Sequence, residues 1–253
     1  MSTPTQLVSG WLSAFGAALS QNDIVAAVEM FADDCYWRDL VSFTWNIKTV
    51  EGKAEIRDML DATLETTQPS NWQIEGEATG DASLAEGWFS FETAVARGRG
   101  QIRLKGEKCW TLLTTMTELK GYEEAKGPTR PKGVQHGAFN DRKNWLERKQ
   151  DEEAALGYTK QPYAVIIGGG QGGIGLGARL KRLGVPTIII EKNDRPGDSW
   201  RKRYSSLCLH DPVWYDHLPY LPFPDHWPIF SPKDKIGDWL EMYTKVMELN
   251  YWG

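Results

Sequence analysis

Apolar residues at the start of the chain recur at helical spacing. Between residues 5 and 21, Leu7, Val8, Trp11, Leu12, Phe15 and Leu19 form one stripe, which predicts an amphipathic helix with a single buried face. Asn22 or Asp23 can cap a second helix through Ile24, Val25, Val28 and Phe31, broken by Asp33-Asp34. The period then drops to two. Cys35 to Val41 sets Tyr36, Arg38 and Leu40 against Trp37, Asp39 and Val41, as a strand does. Phe43 to Val50 reads as a second strand ended by Glu51-Gly52, and Ile56, Met59, Leu60 and Leu64 give a short helix its inner face. Three longer strands are expected at Trp72–Thr79, Leu84–Ala96 and Ile102–Leu119, with Arg97-Gly98-Arg99-Gly100 as the hairpin turn between the last two. Helices followed by a run of antiparallel strands point to an α+β domain.

Gly121 to Lys160 has no such periodicity. Gly127-Pro128-Thr129-Arg130-Pro131-Lys132-Gly133 is turn-rich, and Asn144 to Leu156 is a mixed-charge stretch that predicts a solvated connecting helix. The pattern then changes character. The short apolar run Ala164-Val165-Ile166-Ile167 ends in Gly168-Gly169-Gly170-Gln171-Gly172-Gly173, and a helix follows through Leu176, Ala178, Leu180 and Leu183 to Gly184. Val185 to Lys192 is a buried parallel strand by composition. Near the end of the chain, Ile236, Leu240, Tyr243 and Met247 line one helix face, with Ser231 as its cap, Pro232 at its first position and Asp234 three residues after the cap.

The glycine cluster is where candidate chemistry enters. Its G-x-G-x-x-G spacing sits between a strand and a helix, as a dinucleotide-binding turn requires. Gly168 permits a tight turn, Gly170 lets backbone approach a pyrophosphate, and Gly173 lets the helix pack closely. The helix N-terminus supplies free N–H groups and the positive end of its dipole. Glu191 ends the next strand about 20 residues on, where a ribose-binding carboxylate belongs. Read without a ligand, Glu191 is a surface charge at a strand end.

Composition narrows the classes. The chain of 253 residues has room for two modest domains, and its net charge of −5 leaves no electrostatic footprint for nucleic acid. No apolar run is long enough for a membrane span, and residues 1–9 lack the form of a secretory signal. Cys35, Cys109 and Cys208 are scattered, with no C-x-x-C pair, and read as reduced thiols of a cytoplasmic protein. No metal site is expected: His217 and His226 sit among Pro, Tyr and Trp without metal-ligand spacing, and all four histidines, beginning with His136, follow the α+β part.

Two resemblances follow from these residues. Residues 5–121, through their element order and the stretch Phe31-Ala32-Asp33-Asp34-Cys35-Tyr36-Trp37-Arg38-Asp39, resemble the NTF2-like (SnoaL-like) fold, a curved sheet wrapped by helices into a cone. The resemblance implies a ligand pocket, a catalytic carboxylate or a packed interior; Asp39 and Tyr36 are candidates for acid–base chemistry there, against a structural Asp beside core aromatics. Residues 160–253 look like the flavin-binding half of flavin-containing monooxygenases, including the plant indole-pyruvate monooxygenase-like and Baeyer–Villiger-related members. The matching segments are Gly197 to Trp200, Tyr204 to His210 with its Leu207-x-Leu209-His210 run, and Pro222-Phe223-Pro224.

This second resemblance implies FAD, with Gly168, Gly169, Gly170, Gln171, Gly172, Gly173, Glu191, Lys192, Trp200, Arg201 and His210 as cofactor-binding residues. Trp200 offers a flat wall and an N–H donor, and Arg201 a partner for phosphate or an anionic flavin; the alternatives are a core Trp and a surface Arg. His210 meets the flavin or fills a loop. NADPH would reduce the flavin, and one oxygen atom of O2 would pass to a small organic substrate. The flavin carries that chemistry, so no side chain here is assigned as catalytic.

The family's second glycine-rich motif, for NADPH, does not occur in these residues, so the chain is expected to be a fragment of a longer enzyme. The resulting expectation is an α+β NTF2-like domain over residues 1–125, a linker over 126–160, and the first part of an α/β Rossmann-type FAD-binding domain over 161–253. The NTF2-like part is a candidate for homodimerisation. Competing readings are another FAD- or NAD(P)-dependent oxidoreductase, and a non-enzymatic binding or assembly module with an inert flavin part.

Overall fold

The computed structural model describes residues 3–81, 83–133, 137 and 142–253; His136 lies outside the described residues. The chain divides into two compact units, Met1–Glu123 and Glu124–Gly253.

In the first unit, α1 (Pro4–Ser20) starts at a capping box between Thr3 and Gln6 and buries Val8, Trp11, Leu12, Phe15 and Leu19, the stripe read from the sequence. Asp23 caps α2 (Ile24–Glu29) by accepting from the Ala26 N–H at 2.9 Å. Next come β1 (Phe31–Leu40), β2 (Ile47–Glu51), α3 (Gly52–Thr67), β3 (Ser70–Gly80), β4 (Leu84–Glu92), β5 (Ala96–Lys105) and β6 (Lys108–Leu119). The six strands lie in the order β2-β1-β6-β5-β4-β3. All neighbours are antiparallel except β1 and β6, which pair in parallel one strand in from the β2 edge. Helix α1 packs on β3 and β4, and α3 on β1 and β2. This is the helix-wrapped sheet implied by the NTF2-like resemblance.

The interior is filled by aromatic rings. Phe15 stacks on Trp11 at 4.5 Å between centroids and meets Phe31, Trp37 and Trp72 edge-on, while Trp72 stacks on Phe91 at 5.0 Å.

Several boundaries differ from the sequence reading, most of them for a tertiary reason. Phe31 opens β1 rather than closing α2, because its ring packs edge-on against Trp11 and Phe15. The second strand begins at Ile47, not Phe43. Asp39 draws residues 42–44 off the sheet by accepting from the N–H groups of Ser42 (3.2 Å), Phe43 (3.1 Å) and Thr44 (2.9 Å). The expected turn Arg97–Gly100 is strand β5. A Cβ on Gly98 would lie 2.3 Å from the Phe91 ring, and one on Gly100 would lie 2.2 Å from Phe89, so both glycines mark close approach within the sheet. The real turn is at residues 93–95, where Thr93 Oγ1 accepts from the Ala96 N–H at 3.0 Å. Finally, Ile102–Leu119 is not one strand: it breaks at Gly106, where φ is +60°.

The second unit holds α4 (Trp145–Ala155), capped reciprocally by Asn144 and Glu147. It continues through β7 (Ala164–Ile167), α5 (Gln171–Arg182), β8 (Thr187–Ile190), α6 (Asp198–Arg201), α7 (Lys233–Val246) and β9 (Tyr251–Trp252). The strands form a small parallel sheet in the order β7-β8-β9. Ile166, Ile174, Ala178, Ile189, Phe223, Ile236, Leu240 and Tyr243 form its core. Ser231 does not cap α7. The helix begins at Lys233, because the chain before it runs beside residues 207–209, with Leu209 N–H donating to Ser231 O at 2.9 Å and Lys233 N–H to Leu207 O at 3.0 Å. Among the described residues, no helix is long and apolar enough to cross a membrane, and no group of His, Cys, Asp or Glu is placed to hold a metal ion.

Candidate dinucleotide site

The site lies at the carboxyl ends of the parallel strands, where open α/β sheets bind ligands. Strand β7 runs into Gly168, whose φ of +106° is open to glycine and strained for other residues. Its N–H donates to Ile190 O at 2.8 Å, tying the turn to the end of β8. Gly169 is buried against β9: a Cβ there would lie 2.4 Å from the Tyr251 ring. Gly170 is the N-cap residue of α5 and accepts the first helical bond, from Ile174 N–H at 2.9 Å. The N–H groups of Gln171, Gly172 and Gly173 precede that bond and have no acceptor within the helix. A Cβ on Gly173 would lie 1.9 Å from Gly168 O, so turn and helix approach to within backbone contact. Around Gly170 and Gly172 the space is open: a Cβ on Gly170 would meet nothing nearer than Ser199 Oγ at 3.9 Å, and one on Gly172 nothing within 4 Å. The result is a glycine cradle over a helix N-terminus, which suits a diphosphate in space and in charge. Arg179, Lys181 and Arg182 in the last turn of α5 complement the other end of the dipole.

Glu191, just past β8, reaches this cradle. Its Oε2 accepts from Gly169 N–H at 2.6 Å, and its Oε1 accepts from Asn193 N–H at 3.1 Å and Asn193 Nδ2 at 2.7 Å. Burial works to raise its pKa, but the bonds from Gly169 and Asn193 outweigh it, and the carboxyl is held below the usual range. Trp200, on α6, donates from Nε1 to Gln171 Oε1 at 3.0 Å, which pins the loop after β8 to the first turn of α5. The guanidinium of Arg203 lies 5.1 Å from the Trp200 ring centroid.

The sequence-predicted residues therefore divide. Gly168 to Gly173, Gln171, Glu191 and Trp200 come together. Lys192 and His210 are exposed, and His210 has no hydrogen-bond partner among the described residues. Arg201 departs from its expected place beside a phosphate. Its guanidinium is surrounded by Asp198 (3.1 Å), Asp238 (2.9 Å) and Glu241 (3.0 Å) and clamps α6 to α7. The chain bends into that clamp at Gly197, where φ is +87° and a Cβ would strike Gly237 O at 2.2 Å. In the first unit, Asp39 and Tyr36 do not meet. Asp39 is fully buried and also accepts from Thr114 Oγ1 at 2.9 Å, itself the acceptor of Trp37 Nε1, while Tyr36 is on the opposite, exposed face of β1. Every contact of Asp39 serves structure.

Two residues at the site were missed in the sequence. Tyr251 packs its ring against Gly169, and burial, with Glu191 and Asp198 nearby, pushes its hydroxyl up to about 12. The available signal was the alternation of strand and helix: a strand was due after α7. Ser199 has a buried Oγ without a hydrogen-bond partner among the described residues, which no local pattern announces.

No protein-family model matches the chain. Over 87 residues, 34% of this chain and 21% of the relative, it is 40% identical to the indole-3-pyruvate monooxygenase YUCCA1 of Oryza sativa subsp. japonica. A flavin-containing monooxygenase from Stenotrophomonas maltophilia is 28% identical over 35% of this chain and 27% of its own, with a TM-score of 0.33. A ketosteroid isomerase-like protein from Erwinia carotovora atroseptica is 14% identical over 47% of this chain and 99% of its own, with a TM-score of 0.40. The chain spans about a fifth of the length of the curated relatives it matches.

Proposed function

We propose that residues 161–253 bind FAD as part of a flavin-dependent monooxygenase that uses NADPH and O2 to place one oxygen atom on a small organic substrate. The observation that carries this reading is the Glu191–Gly169 contact, which sets the acid at the end of β8 beside the glycine cradle after β7. The open N–H groups at the start of α5 and the space over Gly170 and Gly172 would take the diphosphate. Glu191 would accept from the adenosine ribose, trading or sharing its bond from Gly169. Trp200, held by Gln171, would give the cofactor an apolar wall. Lys192 and His210 are the further contacts implied by the family resemblance. When bound, FAD supplies the redox chemistry; this chain's residues bind it, orient it and exclude water from its dinucleotide end. The identity to a named monooxygenase supports flavin over a bare nicotinamide. We also propose that the NTF2-like unit serves self-association.

The test is direct binding by the full chain. FAD added to the purified protein is expected to bind with quenched flavin fluorescence and to raise the melting temperature of the second unit. Failure to bind FAD or ADP would overturn the reading, and tighter binding of NADH than of FAD would turn it toward a nicotinamide-dependent dehydrogenase.

A further inference from the structure

Asn193 binds Glu191 twice, and both bonds go to one oxygen. The Asn193 N–H donates to Glu191 Oε1 at 3.1 Å and the amide Nδ2 donates to it at 2.7 Å. The other oxygen, Oε2, takes the Gly169 N–H at 2.6 Å. At the far end of the amide, Asn193 Oδ1 accepts from Lys202 Nζ at 2.8 Å. A primary amide fits either way round by shape, and its neighbours decide between the two. Here a carboxylate stands at one end and an ammonium at the other. Nitrogen toward Glu191 and oxygen toward Lys202 is the arrangement in which both ends attract. Lys202 lies 3.7 Å from Asp198 Oδ2, and Asp198 Oδ1 meets Arg201 of the α6–α7 clamp at 3.1 Å. The backbone beneath is held as well, since Glu191 N–H donates to Trp252 O at 2.8 Å. A line of polar contacts thus runs from the clamp through Lys202 and Asn193 to the carboxylate beside the cradle, and its last link sets the rotation of that carboxylate.

We propose that Asn193 is a positioning residue: by holding Glu191 Oε1 it turns Oε2 toward a ribose hydroxyl of a bound dinucleotide, and so makes the site select ribose over deoxyribose. The inference rests on the dinucleotide reading above. It goes beyond that reading by assigning the orientation of the acid, and the sugar selectivity that follows, to a side chain outside the glycine turn. A hydroxyl gains most from a charged acceptor that is already fixed, because no ordering of the acceptor is left to offset the bond. Aspartate at position 193 would keep the shape of the side chain and its contact with Lys202, but would set an oxygen against the Glu191 carboxylate. It therefore separates the donor from the shape.

The experiment compares the full chain with Asn193→Ala and Asn193→Asp. Binding of ADP and 2′-deoxy-ADP is measured by titration calorimetry, and thermal unfolding is followed without nucleotide. The unaltered chain is expected to prefer ADP about tenfold, the size of a hydrogen bond to a charged group. In both variants that preference should fall to about twofold or less, through weaker ADP binding. In Asn193→Ala the affinity for 2′-deoxy-ADP should stay within about twofold and the melting temperature should hold, since Asn193 does not meet the diphosphate. A preference kept in Asn193→Asp would show that shape and not the donor matters, and would overturn the proposal while leaving the dinucleotide reading intact. So would equal binding of the two nucleotides by the unaltered chain. So would a joint loss of both affinities and of melting temperature in Asn193→Ala, which marks a packing role. If the unaltered chain binds neither ADP nor FAD, the dinucleotide reading itself falls, and this inference with it.

Discussion

Glu191 and Gly169 are 22 positions apart in sequence and joined by a 2.6 Å hydrogen bond from backbone N–H to carboxylate. The bond belongs to the ionised acid. Because the Glu191 carboxyl is held below its ordinary range, its contribution is complete above the unfolded-chain value of about 4.3 and is lost as pH falls through the lower folded value. The protection of the Gly169 amide, the slowing of its exchange relative to an unfolded chain at the same pH, should therefore be high near neutrality and fall on acidification. In Glu191→Gln protection should be low throughout, with no acid transition. Unaltered exchange in the variant would show that the bond does not hold the loop.

The two glycines of the first turn of α5 should respond oppositely to a methyl group. Gly173→Ala places a Cβ 1.9 Å from Gly168 O, an overlap with backbone that is relieved only by moving the turn. Destabilisation of about 1–3 kcal/mol and loss of FAD binding are expected. Gly172→Ala meets nothing within 4 Å and should fold at least as well, gaining up to about 1 kcal/mol of helix preference. If the open side of Gly172 is where the diphosphate sits, that stable variant should still lose affinity. Denaturant unfolding with FAD titration of both variants separates the two effects.

Trp200→Phe removes the indole N–H that meets Gln171 Oε1 and keeps most of the ring. The loss should be modest, about 0.5–1.5 kcal/mol, and Gln171→Ala should add little on top of it, because both remove the same bond. A double-mutant cycle by chemical denaturation gives the coupling. Additive losses would mean the contact does not bind the loop to α5.

Asp39→Ala should destabilise the first unit strongly. It strands the N–H groups of Ser42, Phe43 and Thr44 and the hydroxyl of Thr114, each an unmatched donor costing about 1–3 kcal/mol where water cannot reach it. Asp39→Asn, which keeps an acceptor oxygen, should recover part of the loss. A variant that melts normally and loses a catalytic activity would restore the acid–base role that this geometry removes.

What was legible in the sequence is what is local. The α1 stripe, the mixed-charge helix within residues 144–156, the strand–glycine–helix start at Gly168 and the acid at Glu191 all follow from spacing within one element or one turn. The misread parts are set by distant partners. Arg97–Gly100 has turn composition, but Phe89 and Phe91 on the neighbouring strand occupy the space that its glycines leave open. The loop at residues 41–46 has strand composition, yet it is gathered by one buried carboxylate. At the site, Arg201 is cationic at a plausible position, and only the approach of α7, with Asp238 and Glu241, reveals where that charge is used. Tyr251 reaches Gly169 from 82 positions away.

The parallel pairing of β1 with β6 sets a timetable for biosynthesis. Asp39 meets Thr114 across 75 positions, so Phe31–Leu40 emerges from the ribosome long before its inner neighbour exists. Until Lys108–Leu119 is released, Phe31 and Trp37 have only the early helices to shelter them, and the nascent chain is most exposed to non-native association. Closure of so distant a contact makes this unit a slow folder for its size.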